Sequence, residues 1–243
     1  MTGTPARSPR TNRPTRRTRP TTRRDHITEV RPLTALDGRP LTLVHVQGRH
    51  PPTRGPVIVV HGAGVRAELF RPPLPRTFVD ALLDDGWDVW LLNWRASIDL
   101  DPVPWTLDQA AAYDHPAAVA HVLDATGADR LKAVVHCQGS TSFTMAMAAG
   151  LLPEVDTVVS NAVSLHPVVP RLSTFKIGYL APLISRVTPC LADSRRRTFD
   201  FLQRHRPGRD SLHVLPGYGH LDVFLGRRAA TETCPLILEE LAR

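Results

Sequence analysis

The chain has 243 residues, 42% of them hydrophobic, with three cysteines and a formal net charge of +7. That length and apolar content suit one folded domain with a real core. Three cysteines cannot make a disulfide framework, and no apolar run reaches the roughly 18 residues that a membrane-spanning helix needs.

In chain order, the first feature is a basic tail. Residues 1–24 carry eight Arg and no acid, which leaves −1 for residues 25–243. The tail is otherwise mostly Thr, Pro and Ser, with no aliphatic residue beyond Met1 and one Ala, too apolar-poor to offset its ordering entropy, and is expected to be disordered. Its Arg pairs at 16–17 and 23–24 precede no apolar run, so it does not read as a secretory signal. The body is near neutral, so no nucleic-acid partner is expected. Only Lys132 and Lys176 among the 30 basic residues are Lys. With the Ala, Arg and Pro load this suggests a bacterial source, and the expected placement is cytoplasmic.

Residues 28–35 and 41–47 are β-like runs around Asp37-Gly38, a hairpin signal. Pro56–Val60 (PVIVV) is an apolar strand ending in His61-Gly62-Ala63-Gly64. A helix begins at Phe78 and stops near Gly86. Further strands are read at 87–93, 131–136 and 155–163, with helices at 106–126, broken near His115-Pro116, and at 139–152. Strands at 183–187 and 211–215, a helix at 194–203 and a closing helix at 222–241 complete the pattern. Strands apolar on both faces and alternating with helices specify a parallel sheet covered on both sides. A single α/β domain over residues 25–243 is expected.

The segment Val134-Val135-His136-Cys137-Gln138-Gly139-Ser140 lies between a strand and a helix. In α/β-hydrolases that place holds the G-x-S-x-G nucleophile elbow. Here the pattern is Val135-x-Cys137-x-Gly139, with Cys at the nucleophile position. A thiolate at a helix N-terminus is stabilised by the dipole and free N–H groups. The alternative role for Cys137 is a small buried hydrophobe. Ser140 and Ser142 fall inside the helix and are poorer nucleophiles. The Gln138 N–H would supply half of an oxyanion hole, and the loop after the 56–60 strand the other half, through Ala63 or, second, Gly64.

His220, in Pro216-Gly217-Tyr218-Gly219-His220, is the last His of the chain and the candidate base, in the order nucleophile, acid, His. Asp193 is the candidate acid by its interval. It could equally cap the 194–203 helix. Asp222 stands only two residues from His220, a poor spacing for pairing with the same ring. His166 is a candidate pocket residue. No cofactor or metal is called for.

Residues 26–189 resemble the α/β-hydrolase domains associated with cholesterol-oxidase-like (glucose–methanol–choline type) oxidoreductases. The segments that carry this are VVHGAGVRAELFRPP, GWDVWLLNWRASIDL, WTLDQAAAYDHPAAV, AVVHCQGSTSFTMAM and TVVSNAVSLHPVVP, with PGYGHLDVFLGRRAA near the end. A more distant likeness is to polyhydroxyalkanoate synthases, which carry a Cys nucleophile in a box similar to VHCQG. The resemblance implies an α/β-hydrolase fold with a mostly parallel sheet and an N-terminal antiparallel hairpin. It also implies a Cys137–His220 site for carboxylic esters or thioesters, an acyl or lipid-like substrate, and possible association with an oxidoreductase. Only about 50 residues separate Pro167 from Pro216, so the lid is expected to be short or absent. That shortening also admits a second reading, a catalytically impaired hydrolase acting as a binding or partner module.

Overall fold

The computed structural model describes residues 26–163, 189–205 and 207–243, with the side chains of 189–195 left out. The tail at 1–24, His166 and the strand expected at 183–187 lie outside the described residues.

The leading hairpin forms as its turn signal requires. Strand β1 (Ile27–Thr34) pairs antiparallel with β2 (Pro40–Gln47) around Gly38, whose φ of 85° a side chain would strain. Strand β2 pairs antiparallel with β4 (Asp88–Asn93). Strands β4, β3 (Pro56–Val60), β5 (Leu131–His136) and β6 (Val155–Asn161) then run parallel, giving the order β1-β2-β4-β3-β5-β6.

All five residues of β3 are buried. Ile58 and Val60 face one core layer with Trp90, Leu92 and Val135, while Val57 and Val59 face the other with Leu91 and Val134. Period-2 geometry thus turns one apolar run into two buried faces. Helices α3 (His115–Thr126) and α4 (Gln138–Ala148) carry side chains into the first layer. Helices α1 (Phe78–Asp84) and α7 (Cys234–Leu241) carry side chains into the second.

Local signals explain the boundaries. Thr77 and Asp80 close a capping box before α1. Gly127 ends α3 in the left-handed region, its N–H donating to the Leu123 carbonyl. Between the single turn α2 (Leu107–Gln109) and α3, Ala110–Asp114 is π-helical. The break expected near Pro116 is therefore a widened turn within a continuous rod.

Three expectations need correction. Residues 211–215 form no strand: Leu212 and Val214 are exposed, and among the described residues no strand pairs with them. The helix expected at 194–203 is longer, running as α5 (Pro189–His205). The closing helix is divided into α6 (Asp222–Leu225), a π-helical stretch at Ala229–Thr233, and α7, with the first break at Gly226.

Candidate active site

The parallel strands β3, β5 and β6 end at one edge of the sheet, and there the chain turns from β5 into α4 through Cys137. Its φ of 55° and ψ of −125° are a conformation that L-residues avoid. Holding it costs on the order of 1–3 kcal/mol. Asn161, the last residue of β6, helps to hold it. Its carbonyl accepts the Cys137 N–H at 2.9 Å and the Ser140 hydroxyl at 2.9 Å, and its side-chain oxygen accepts His136 Nδ1–H at 2.8 Å.

Two glycines let other backbone come close to this turn. A Cβ on Gly62 would lie 2.8 Å from Cys137 Cβ and 3.3 Å from its Sγ. A Cβ on Gly139 would overlap the His61 carbonyl oxygen. The His61–Gly64 loop therefore lies directly against the elbow because Gly stands on both sides of the contact. Val135, where the pattern usually has Gly, is buried in the first core layer.

The two serines of α4 are committed elsewhere. Ser140 bonds Asn161, and Ser142 donates to the Gln138 carbonyl and lies 2.7 Å from His115 Nε2. Both are fully buried, whereas Cys137 is a half-buried thiol, in no disulfide, at the tip of the turn.

Within the loop after β3, the Gly64 N–H donates to the Ala96 carbonyl at 3.1 Å. This N–H of the loop is therefore already committed within the protein. The His61 ring is fully buried with Nδ1 2.6 Å from the Gly62 carbonyl. Burial pushes its pKa down to about 4, and that of His115 to about 3. Both rings are neutral at pH 7.

The His220 loop reaches the same edge. The His220 ring lies 4.7 Å from the ring of His136, the residue before Cys137, at 44°. Phe224, four residues later, packs edge-on to His136 at 5.3 Å and against Phe70 and Phe78 at 4.9 and 5.2 Å. The Tyr218 hydroxyl donates to Glu232 at 2.6 Å, with Arg228 over its ring. That hydrogen bond raises the Tyr218 pKa. Asp222 accepts the Gly219 N–H at 2.7 Å, so its carboxylate braces the backbone of the loop. Asp193 lies inside α5 rather than ahead of it, and its side chain is outside the described residues.

Sequence reasoning missed Asn161 and Asn93. Each is the polar last residue of a strand at the edge where the site lies. Asn93 Oδ1 accepts the Ala67 N–H at 2.8 Å and the Ser97 hydroxyl at 3.0 Å, tying the loop after β3 to the loop after β4. A polar residue closing a strand that carries an apolar run was the available signal.

A strained turn between a parallel strand and a helix, with a glycine loop against it, recurs in one large family. The α/β-hydrolase fold family matches residues 55–196. The chain belongs to the α/β-hydrolase family. It is 33% identical to human lipase member K over 125 residues, covering 46% of this chain and 31% of that one. It is 28% identical to lipase 1 of Drosophila melanogaster over 184 residues, covering 71% and 41%. It is 26% identical to sterol esterase 2 of Saccharomyces cerevisiae over 135 residues, covering 47% and 25%. The chain thus spans well under half the length of these relatives. Among solved structures, a Pyrococcus furiosus esterase superposes with a TM-score of 0.67 at 15% identity, covering 90% of this chain and 91% of that one. A Xanthomonas campestris protein, described as an α/β serine hydrolase without a lid, gives 0.60 at 15%, covering 89% and 94%. The α/β-hydrolase sheet, with its parallel body and antiparallel leading hairpin, is as the sequence implied. None of these matches singles out the cholesterol-oxidase-associated or polyhydroxyalkanoate-synthase branches.

Proposed function

We propose that the protein transfers acyl groups from carboxylic esters or thioesters to water or another acceptor through Cys137. The carrying observation is the strained Cys137 at the tip of the β5–α4 turn, with the His220 ring brought to the neighbouring His136. His220 takes the thiol proton as Cys137 sulfur attacks the acyl carbonyl. The N–H groups of Gln138 and Ala63 hold the oxyanion. The leaving alcohol or thiol departs with the proton from His220, and a thioester remains on Cys137. Water, deprotonated by His220, releases the acid. An acceptor alcohol would give acyl transfer instead. Asp193 is the proposed third member, orienting His220.

The names of the lipase and sterol-esterase relatives support an ester substrate with an apolar acyl or sterol part. A Cys in place of the Ser of the Xanthomonas serine hydrolase is the distinctive element of this reading. The narrower kinship with cholesterol-oxidase-associated domains, an oxidoreductase partner, and a bacterial, cytoplasmic setting belong to the same proposal. The test is p-nitrophenyl butyrate turnover. Cys137→Ala should lose roughly 10³-fold or more, by analogy with the loss of other catalytic nucleophiles. Unchanged turnover would remove Cys137 from the mechanism.

The short interval before the histidine loop favours a second reading, a binding module with lost chemistry. It predicts a Cys137 that iodoacetamide does not label.

A further inference from the structure

Among the described residues, Arg95 and Asp114 form the most deeply buried ion pair in the fold. Their side chains are 2% and 0% exposed. Asp114 takes three kinds of donor from one residue: the Arg95 backbone N–H at 2.9 Å, Nε–H at 3.0 Å and Nη2–H at 2.6 Å. Arg95 Nη2 also reaches Asp37, in the β1–β2 turn, at 2.9 Å. Burial opposes the Arg95 charge, but the bonds and charge of Asp114 and Asp37 outweigh it and raise its pKa. Burial pushes the Asp114 carboxyl up against the pull of Arg95.

The position of the pair is more informative than its depth. Arg95 belongs to the loop that follows β4 at the site edge. That loop holds the His61–Val65 segment by three bonds: Trp94 Nε1 to the His61 carbonyl at 2.9 Å, Gly64 N to the Ala96 carbonyl at 3.1 Å, and Ile98 N to the Val65 carbonyl at 3.1 Å. Every one of these comes from a residue within three positions of Arg95. Asp114 is the last residue of the π-helical stretch, and widened turns of this kind re-aim single side chains. A regular α-helix through 110–114 would turn Asp114 off this line.

We infer that Arg95 and Asp114 are positioning residues for acyl transfer. They lock the loop after β4, and that loop sets where the Ala63 N–H points. This rests on the reading of Ala63 as an oxyanion donor. Neither residue is given any contact with the substrate. Their effect falls on the step that develops an oxyanion and spares the thiol itself.

Iodoacetamide separates the two, because it alkylates sulfur at a tetrahedral carbon and forms no oxyanion. The full chain is compared with Asp114→Asn and Arg95→Lys. Arg95→Lys keeps a cation and the backbone N–H on Asp114, so it carries the comparison if Asp114→Asn does not fold. In either variant, kcat for p-nitrophenyl butyrate should fall roughly 10- to 100-fold, as expected for a displaced oxyanion donor. KM and the alkylation rate of Cys137 should stay within about twofold, since neither depends on that donor. Amide hydrogen exchange in a peptide covering 61–67 should quicken, while one covering 131–143 should not. Unchanged exchange at 61–67 would overturn the inference, as would alkylation and turnover falling together. If the parent protein shows no Cys137-dependent turnover, the proposed function fails, and the exchange comparison alone decides whether the tether exists.

Discussion

The two halves of the candidate site are built differently. The nucleophile half is held by close-packed backbone: the Gly62 backbone lies against the Cys137 side chain, Gly139 against the His61 carbonyl, and the Asn161 carbonyl takes the Cys137 N–H, with the Ser140 and His136 side chains bonded to the same asparagine. The histidine half is a half-exposed loop secured by side chains. Its anchors are the buried ring of Phe224, the Tyr218–Glu232 bond and the Asp222 brace. Backbone contacts admit no added atom, while side-chain contacts can be exchanged one at a time. The nucleophile's position is thus fixed by the sheet, and the base's position is set by a few replaceable anchors.

The largest effect should come from removing the aromatic anchor. Phe224→Ala empties the centre of the Phe70–Phe78 cluster and should cost about 3–5 kcal/mol by urea unfolding. It also frees the His220 loop, so turnover of the folded fraction should drop. A loss of less than about 1 kcal/mol would mean that this half has another support. Gly139→Ala comes next. Helix propensity alone would favour Ala by about 1 kcal/mol, but the overlap with the His61 carbonyl should reverse the sign and destabilise by about 1–3 kcal/mol. A stabilised variant would show that the backbone contact yields.

The buried histidines predict acid sensitivity. Their folded pKa values, about 4 for His61 and about 3 for His115, lie below the value of 6.5 expected when unfolded. Their contribution is complete above pH 6.5 and is lost as pH falls toward 4. The slope is about 1.4 kcal/mol per pH unit for each ring. Urea midpoints measured from pH 7.5 to 4.5 should show it, and His115→Gln should remove about half. A pH-independent midpoint would contradict neutral burial. The smallest effect belongs to Tyr218→Phe, whose exposed hydroxyl should leave the urea midpoint nearly unchanged. A tenfold loss of kcat there would place more of the base's alignment in that strap than the Phe224 anchor leaves room for.

The sequence disclosed the parts governed by local rules. The apolar run PVIVV, the Asp37-Gly38 turn and the Cys137–Gly139 spacing each dictate their structure within a few residues. The segment SLHVL misled because alternation alone makes no strand: a strand also needs a neighbour, and among the described residues Leu212 and Val214 meet solvent instead. Asp114 looked like one more polar residue of an Ala-rich helix. Only the fold brings Arg95, 19 positions earlier, onto it. The Asn93–Ala67 bond and the Asn161 contacts were hidden for the same reason, since those partners are long-range in sequence. Family membership then followed from the elbow and the matched segment, while the choice of Cys as nucleophile rests on its place at the tip of the turn.

That choice has a direct physical consequence, a covalent acyl group on one sulfur. The protein can be mixed with p-nitrophenyl butyrate, quenched in acid during turnover, digested and weighed. The account predicts a butyryl group on the peptide containing Cys137, removed by hydroxylamine and absent from Cys137→Ala. Turnover without that adduct, or turnover that persists in Cys137→Ala, would contradict it.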